Sequence, residues 1–200
     1  MEKKYKLTEE TINVCGRTLH RIEALINFDD VEKGDKGGFI EKEENLSQSD
    51  ICWVYDDAKV YGDAKIYGNA IVCDNAEVYE TARVYGNAKV RGNAIVYGDA
   101  SVGDNAKIWM DAKVSGNVRI YDNVKVYGDA VVYDNVRICG NVRICGNAMI
   151  YGNAMVCNYA KVCGNAEVYD NAIVYGNAMV YDNAEIYGGR EVHGDEKVGE

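Results

Sequence analysis

From Val54 to Val198 every sixth residue of the chain is Val or Ile, and nothing is inserted between one repeat and the next. The residue four positions further on is small and apolar, and between the two stand mostly Gly or Asp followed by Asn or Asp. β-Branched residues favour short strands, whereas Gly-Asn and Asp-Asn pairs tolerate a positive φ at a corner. The pattern therefore predicts short strands that alternate with sharp corners.

Strands and corners that alternate in this way must coil. Three six-residue units make one triangular turn, with Val, Ile and Ala inside and each strand parallel to the strand one turn further on. The units "VGDNAK", "VYGNAK" and "IYGNAM" resemble the hexapeptide repeat of left-handed β-helix proteins. Over residues 54–189 this resemblance implies an all-β, left-handed parallel β-helix solenoid of about eight triangular coils, roughly 40 Å long at the usual strand spacing.

The residues outside the repeat divide into a cap and an end. In residues 1–53, "TINVCGRTLHRI" predicts a β-hairpin around Cys15 and Gly16, and "VEKGDKGGFIEKEENLSQ" predicts a Gly-rich loop that leads into the first coil. This N-terminal cap resembles that of uncharacterised bacterial and phage hexapeptide-repeat proteins. Arg190 and Glu196 occupy inward positions and would be costly to bury, so we expect the helix to loosen after Ile186 and residues 190–200 to form a polar end.

Composition narrows the function. The net charge of -10 makes the chain a poor general nucleic-acid binder. Neither a signal peptide nor a membrane-spanning run is evident, so we expect a cytoplasmic protein whose seven Cys are thiols. Cys139 and Cys157, like Cys145 and Cys163, fall on neighbouring coils at a separation that a disulfide could bridge. The Cys and His spacings predict no metal site, and no motif implies a cofactor.

One outward column of the predicted helix is rich in tyrosine. Aromatic rings stacked one strand apart stabilise parallel sheets, and that role alone would account for the column. In its middle the apolar side chains of six residues coincide: Tyr97, Tyr133, Tyr151, Ile95, Val131 and Met149. An exposed apolar patch of this kind marks interaction sites, so we predict that this face docks a protein partner or another copy of the chain, with a homotrimer as one form.

A second column is basic. Lysine and arginine recur once per coil beside Trp109, Tyr127 and a further arginine. The predicted anion-binding set is Lys89, Arg91, Lys107, Trp109, Lys125, Arg143 and Lys161. Cations beside aromatic rings suit a small anionic ligand, such as a nucleotide, a phosphate or a single strand. The alternative is that corner acids such as Asp111 and Asp129 neutralise these cations.

The resemblance also raises the prospect of catalysis, because many proteins with this repeat are acyltransferases in which a His acts as general base. Here His20 lies in the cap, His193 lies in the last coil, and no inserted loop builds a pocket. We therefore predict a non-enzymatic scaffold or binding module. A divergent acyltransferase that uses His20 or His193 across a subunit interface is the alternative, and a phage inhibitor of a host system, binding through acidic corners or the basic column, is a third.

Overall fold

The computed structural model describes residues 3–199, so residues 1, 2 and 200 of the predicted cap and end lie outside it. Each hexapeptide forms one two-residue strand, an outward residue followed by a buried Val or Ile. In chain order these strands are β4 (Trp53–Val54), β5 (Lys59–Val60), β6 (Lys65–Ile66), β7 (Ile71–Val72), β8 (Glu77–Val78), β9 (Arg83–Val84), β10 (Lys89–Val90), β11 (Ile95–Val96), β12 (Ser101–Val102), β13 (Lys107–Ile108), β14 (Lys113–Val114), β15 (Arg119–Ile120), β16 (Lys125–Val126), β17 (Val131–Val132), β18 (Arg137–Ile138), β19 (Arg143–Ile144), β20 (Met149–Ile150), β21 (Met155–Val156), β22 (Lys161–Val162), β23 (Glu167–Val168), β24 (Ile173–Val174), β25 (Met179–Val180), β26 (Glu185–Ile186), β27 (Glu191–Val192) and β28 (Lys197–Val198).

Every third strand belongs to the same parallel sheet, so three sheets form the sides of a rod. Residues 18 positions apart are direct neighbours, as Val96 and Val114 are on one side and Val90 and Ile108 on the next. The Val, Ile and Ala positions fill the interior and are almost completely buried throughout the repeat. Each buried Val or Ile side chain contributes about 1.5–3 kcal/mol relative to exposure, so this single continuous core holds the rod together.

The corners explain why Gly and Asp alternate at one position of the repeat. Gly98 has φ 71°, and a Cβ atom there would lie only 2.7 Å from the backbone nitrogen of Gly116. Where another residue takes this position it also has a positive φ, as Asp122 does at 62° and Asp134 at 65°. Asp tolerates the left-handed conformation better than most side chains, so the sequence pattern follows from the backbone geometry.

The cap begins with a β-hairpin, β1 (Tyr5–Val14) and β2 (Arg17–Ala24), which turns through Cys15 and Gly16 at positive φ. The third cap strand, β3 (Lys36–Ile40), pairs antiparallel with β2 and parallel with β5. We expected these residues to belong to a Gly-rich loop. They form a strand because Gly37 and Gly38 let two backbones meet: a Cβ at Gly38 would lie 2.5 Å from the carbonyl oxygen of Ala58.

Parallel stacking starts in the cap, before the hexapeptide repeat. Ile40 lies in register with Val60, and Leu46 forms a bridge with Ile66, so residues 39–54 make a first turn. The rod therefore has about nine turns, as its nine-stranded sheet indicates, where the repeat alone counts about eight. A three-residue 3-10 helix, Glu43–Asn45, carries the chain round one corner of this turn. The buried Asn45 amide then donates to the carbonyl oxygens of Gly62 and Ala64 at 3.0 and 2.9 Å.

At the other end the strand pairing continues further than expected. We expected the helix to loosen after Ile186, yet β27 and β28 still pair with β24 and β25. Arg190 and Glu196 take the inward positions of this last turn and remain exposed, because no further coil covers them. Within residues 3–199, no helix is long and apolar enough to cross a membrane. The left hand of the coil stays a prediction.

Candidate functional site

The basic column of the sequence forms a straight file on one side of the rod. Lys89, Lys107, Lys125, Arg143 and Lys161 occupy the outward position of successive strands in one sheet and lie in register, one above the other. Neighbouring strands are about 4.8 Å apart, so the file covers roughly 19 Å. We call these five residues the basic file.

The basic file has no acidic partners. In residues 3–199, none of its members makes an ion pair within 4.0 Å, and Asp111 instead accepts a hydrogen bond from the Asn93 amide at 3.0 Å. The sequence left open that corner acids neutralise these cations. No direct contact of that kind is present in residues 3–199. Five like charges stacked at strand spacing repel one another, which solvent screening keeps modest.

A file of corner residues runs beside the basic file, two positions earlier in each repeat. Its members are Asn87, Asn105, Asn123, Asn141, Tyr159 and Asn177, which we call the asparagine file. The two files enclose a groove of about 450 Å³ lined by Asn105, Lys107, Asn123, Lys125, Asn141 and Arg143. It continues as a second stretch of about 350 Å³ lined by Asn141, Arg143, Tyr159, Lys161 and Asn177. No carboxylate lines either stretch.

The amides of the asparagine file are only partly used by the rod itself. The Asn87 amide donates to Asn105 at 3.0 Å, and the Asn105 amide donates to Asn123 at 3.2 Å. The ladder then stops, since among the described residues no side-chain hydrogen bond joins Asn123 to Asn141. In the middle of the groove Asn123 and Asn141 are exposed beside Lys125 and Arg143, and their amide groups donate no hydrogen bond within residues 3–199.

The aromatic residues beside the basic file stack on each other. The rings of Trp109 and Tyr127 stack at 4.7 Å with an angle of 4° between their planes. The Arg91 guanidinium covers the other side of Trp109, with its central carbon 5.7 Å from the ring centroid. A base that stacked on Trp109 would have to displace one of these neighbours. Trp109 is thus already in contact on both sides, and the anion-binding role of this set stays a prediction.

Tyr159 departs from the repeat. It replaces Asn in the asparagine file and is 61% exposed, more than any other large hydrophobic residue of the described chain. Its side chain borders the second stretch of the groove, next to Arg143 and Lys161. The repeat has no structural need for an aromatic residue at a corner, so one accessible ring lies within the second stretch of the groove, between Asn141 and Asn177.

A second basic pair was missed by the sequence interpretation. Arg119 and Arg137 lie in register on the adjacent side of the rod and line a groove of about 390 Å³ with Asn117, Asn135, Asn153, Ala154 and Met155. Reading the residue before each aliphatic position in the third column would have found it. This groove is lined by two cations, whereas the groove beside the basic file is lined by four.

The tyrosine face is arranged as two stacks. Tyr61, Tyr79 and Tyr97 form the first, and Tyr133, Tyr151, Tyr169 and Tyr187 form the second, with centroids 4.8–5.3 Å apart. Lys113 and Ser115 separate them, because Lys113 lies in register between Ile95 and Val131. The structure therefore brings Val131, Met149, Tyr133 and Tyr151 together and sets Ile95 and Tyr97 apart from them. All six side chains are half-buried by their neighbours in the rod.

Several tyrosine hydroxyls are also satisfied within the rod. Tyr151 donates to Glu167 at 2.9 Å, and Tyr61 donates to Glu77 at 3.3 Å. Burial and the neighbouring carboxylate raise the pKa of both hydroxyls, because ionisation would place two negative charges side by side. The tyrosine face thus carries contacts that serve the rod.

The rod has a counterpart among known repeat families. A family model described as the YdcK Beta solenoid repeat matches residues 82–98, 142–158 and 166–182, all within the region of two-residue strands. The chain is a parallel β-solenoid repeat protein. The matched segments make up about a quarter of the chain, and no curated protein matches it. The hexapeptide subtype and the likeness of the cap to bacterial and phage proteins stay predictions.

The two histidines of the solenoid lie at opposite ends of it. His20 is half-buried on β2, with Nδ1 3.0 Å from the carbonyl oxygen of Thr8. His193 directly follows β27 and is exposed, with Nε2 3.6 Å from Glu196. Neither lines the groove, and about nine strand spacings, roughly 43 Å, separate them.

Some corner acids of the solenoid bond to its own backbone. Asp122 accepts a hydrogen bond from the Gly140 amide at 2.8 Å, and Asp134 accepts one from the Gly152 amide at 3.1 Å. Each acid thereby caps the corner of the next coil. Turn geometry and these bonds together account for acidic residues at the corners.

The seven cysteines are free thiols in the structure. Burial raises the pKa of Cys157 and Cys163, each next to another thiol in its column, which lowers their reactivity at neutral pH. Within residues 3–199, no three His, Cys, Asp or Glu side chains are grouped so that they could hold a metal ion.

Proposed function

We propose that the solenoid is a non-catalytic binding module that holds an anionic ligand along the groove between the basic file and the asparagine file. The observation that carries this proposal is the basic file itself: five cations in register, none of them paired with an acid, beside a groove that no carboxylate lines. The repulsion within such a file destabilises the rod slightly, and an anion seated across several coils would relieve it.

The overall charge of the protein limits what this ligand can be. A chain of net charge -10 repels large polyanions at long range. Affinity must then come from short-range contacts inside the groove, which favours a ligand that fits it closely over long duplex nucleic acid.

The test is the binding of two anionic probes, inorganic polyphosphate and oligogalacturonate, by titration calorimetry at low salt. The triple substitution Lys107→Gln, Lys125→Gln and Arg143→Gln removes the middle of the basic file. Each exposed charged contact contributes about 0.5–1 kcal/mol, so the loss of three predicts roughly tenfold to 100-fold weaker binding of a probe that the wild type binds.

The matched control is Lys65→Gln, Arg83→Gln and Lys113→Gln, which changes the net charge equally but leaves the groove intact. We expect this control to bind within about twofold of the wild type. Equal weakening by both triple variants would mean that only net charge matters. Failure of the wild type to bind either probe would overturn the proposal.

The predicted protein-docking face remains a second route for a binding module, through Val131, Tyr133, Met149 and Tyr151, which the structure groups on one side. Native mass spectrometry of the wild type and of a Tyr133→Glu, Met149→Glu variant tests it. A homo-oligomer that the substitutions dissociate would support docking through this face. A monomer in both samples would remove self-association.

Two alternatives have less support. An acyltransferase would need His20 or His193 to complete a site with another chain, since they lie at opposite ends of one chain. A trimer that carries coenzyme in native mass spectra would favour it. A host-directed inhibitor that acts through acidic corners would use carboxylates some of which, such as Asp122 and Asp134, already bond to the solenoid backbone.

A further inference from the structure

The spacing of the groove restricts the shape of its ligand. The cations repeat once per coil along a straight line, about 4.8 Å apart. A ligand that matches the whole file is therefore linear and carries one anionic group per repeat of similar length. The length of one sugar residue along an extended glycan is comparable to this spacing, and each uronic acid residue carries one carboxylate.

The polar residues of the groove also suit a sugar acid. Next to each cation of the central stretch stands an asparagine, and at Asn123 and Asn141 the amide donors are not used by the ladder. An amide both donates and accepts hydrogen bonds, so it can pair with a hydroxyl group beside the carboxylate that the cation holds. A sugar acid offers hydroxyls and a carboxylate together, whereas a polyphosphate offers acceptors alone.

The aromatic groups distinguish a glycan from single-stranded nucleic acid. Sequence-tolerant binding of a single strand relies on successive rings on which bases stack. Here Trp109 is covered by Arg91 and Tyr127, and the exposed ring beside the groove is that of Tyr159, between Asn141 and Asn177. One exposed ring suits the apolar face of one sugar residue.

We infer that the groove binds an extended acidic glycan, a polyuronate, with carboxylates on Lys107, Lys125, Arg143 and Lys161, hydroxyls on Asn123 and Asn141, and one sugar ring against Tyr159. This inference rests on the proposed function, since it specifies the ligand of the same groove.

The experiment titrates full-length protein by calorimetry with three probes of known length: hexagalacturonate, a hexaphosphate chain and a six-nucleotide single-stranded DNA. We expect hexagalacturonate to bind at least about tenfold more tightly than either of the others. Tighter binding of the phosphate chain or of the DNA would overturn the glycan inference and leave an anion groove in place. No binding of any probe would overturn the proposed function as well.

Tyr159 provides a sharper readout. Tyr159→Asn restores the corner residue of the neighbouring coils, so the fold is preserved, and we expect hexagalacturonate to bind about fivefold to tenfold more weakly. The matched control is Tyr187→Asn, which removes another exposed tyrosine on the tyrosine face, 54% exposed, and is expected to bind as the wild type does. Unchanged binding by Tyr159→Asn would remove the sugar contact at this ring.

Discussion

The tyrosine face and the basic file lie on two sides of the same rod and differ in what their side chains contact. On the tyrosine face, rings stack on rings and hydroxyls donate to glutamates one coil further on. On the other side, Lys107 and Lys125 lie beside like charges and bond to nothing within the described chain. The comparison teaches that one side contributes to the stability of the rod, whereas the other leaves its charges free for a ligand.

The largest expected effect on stability comes from the middle of the second tyrosine stack. Tyr151→Ser removes two stacking contacts, with Tyr133 and Tyr169, and the hydrogen bond to Glu167. Each stacked pair contributes about 0.5–1.5 kcal/mol and the bond about 1 kcal/mol, so we expect the free energy of unfolding to fall by about 2–4 kcal/mol. Urea denaturation measures it.

The matched variant for that comparison is Lys125→Ser, because the Lys125 side chain is half-buried, as that of Tyr151 is. It removes a cation with no partner, and we expect a change within about 0.5 kcal/mol. Equal destabilisation by the two variants would show that the tyrosine stack contributes nothing beyond its strand.

A smaller loss of unfolding free energy is expected at the end of the second tyrosine stack. Tyr187 has one stacked neighbour, Tyr169 at 5.3 Å, and is exposed, so Tyr187→Ser should cost about 0.5–1 kcal/mol. A cost as large as that of Tyr151→Ser would argue against stacking as the source of stability.

Alkaline pH should weaken the contribution of the tyrosine face to stability. The pKa of Tyr151 is raised by burial and by Glu167, so its protonated form is favoured in the folded state. Stability from this group is fully present below about pH 10, the unfolded value, and is lost as the pH rises towards the higher folded value. Thermal unfolding between pH 8 and 11 should show the decline in the wild type and a shallower one in Tyr151→Phe. Parallel curves would contradict the assignment.

The smallest effect concerns the basic file in the absence of ligand. Lys107→Gln with Lys125→Gln removes repulsion between cations at strand spacing, and we expect stability to rise by a few tenths of a kcal/mol at low salt. The gain should vanish in 1 M salt. A loss of stability at low salt would mean that the lysines take part in contacts that hold the rod.

Sequence periodicity was enough for the fold of the rod, because one six-residue pattern specifies both the strand and the corner at every step. It was not enough for the first turn. Ile40, Leu46 and Val54 stack on the repeat with spacings of six and eight residues, and Gly37 and Gly38 form a strand through a backbone approach that composition cannot reveal.

For the candidate site, the columns located the cations but not their surroundings. Lys89 and its equivalents were found because residues 18 apart must be neighbours. The asparagine file was treated as turn chemistry, and Tyr159 was not singled out, since both acquire meaning only as the walls of a groove. The stacking of Trp109 between Arg91 and Tyr127 depends on side-chain orientation, which a column does not contain.

The most direct test of the central claim is a titration of isotope-labelled protein with hexagalacturonate, followed by NMR chemical shifts of backbone and asparagine side-chain amides. The account predicts shifts confined to the groove, with Asn123 and Asn141 side chains among the largest and the Tyr133–Tyr169 stack unchanged. Shifts centred on the tyrosine stack, or none at saturating concentration, would contradict it.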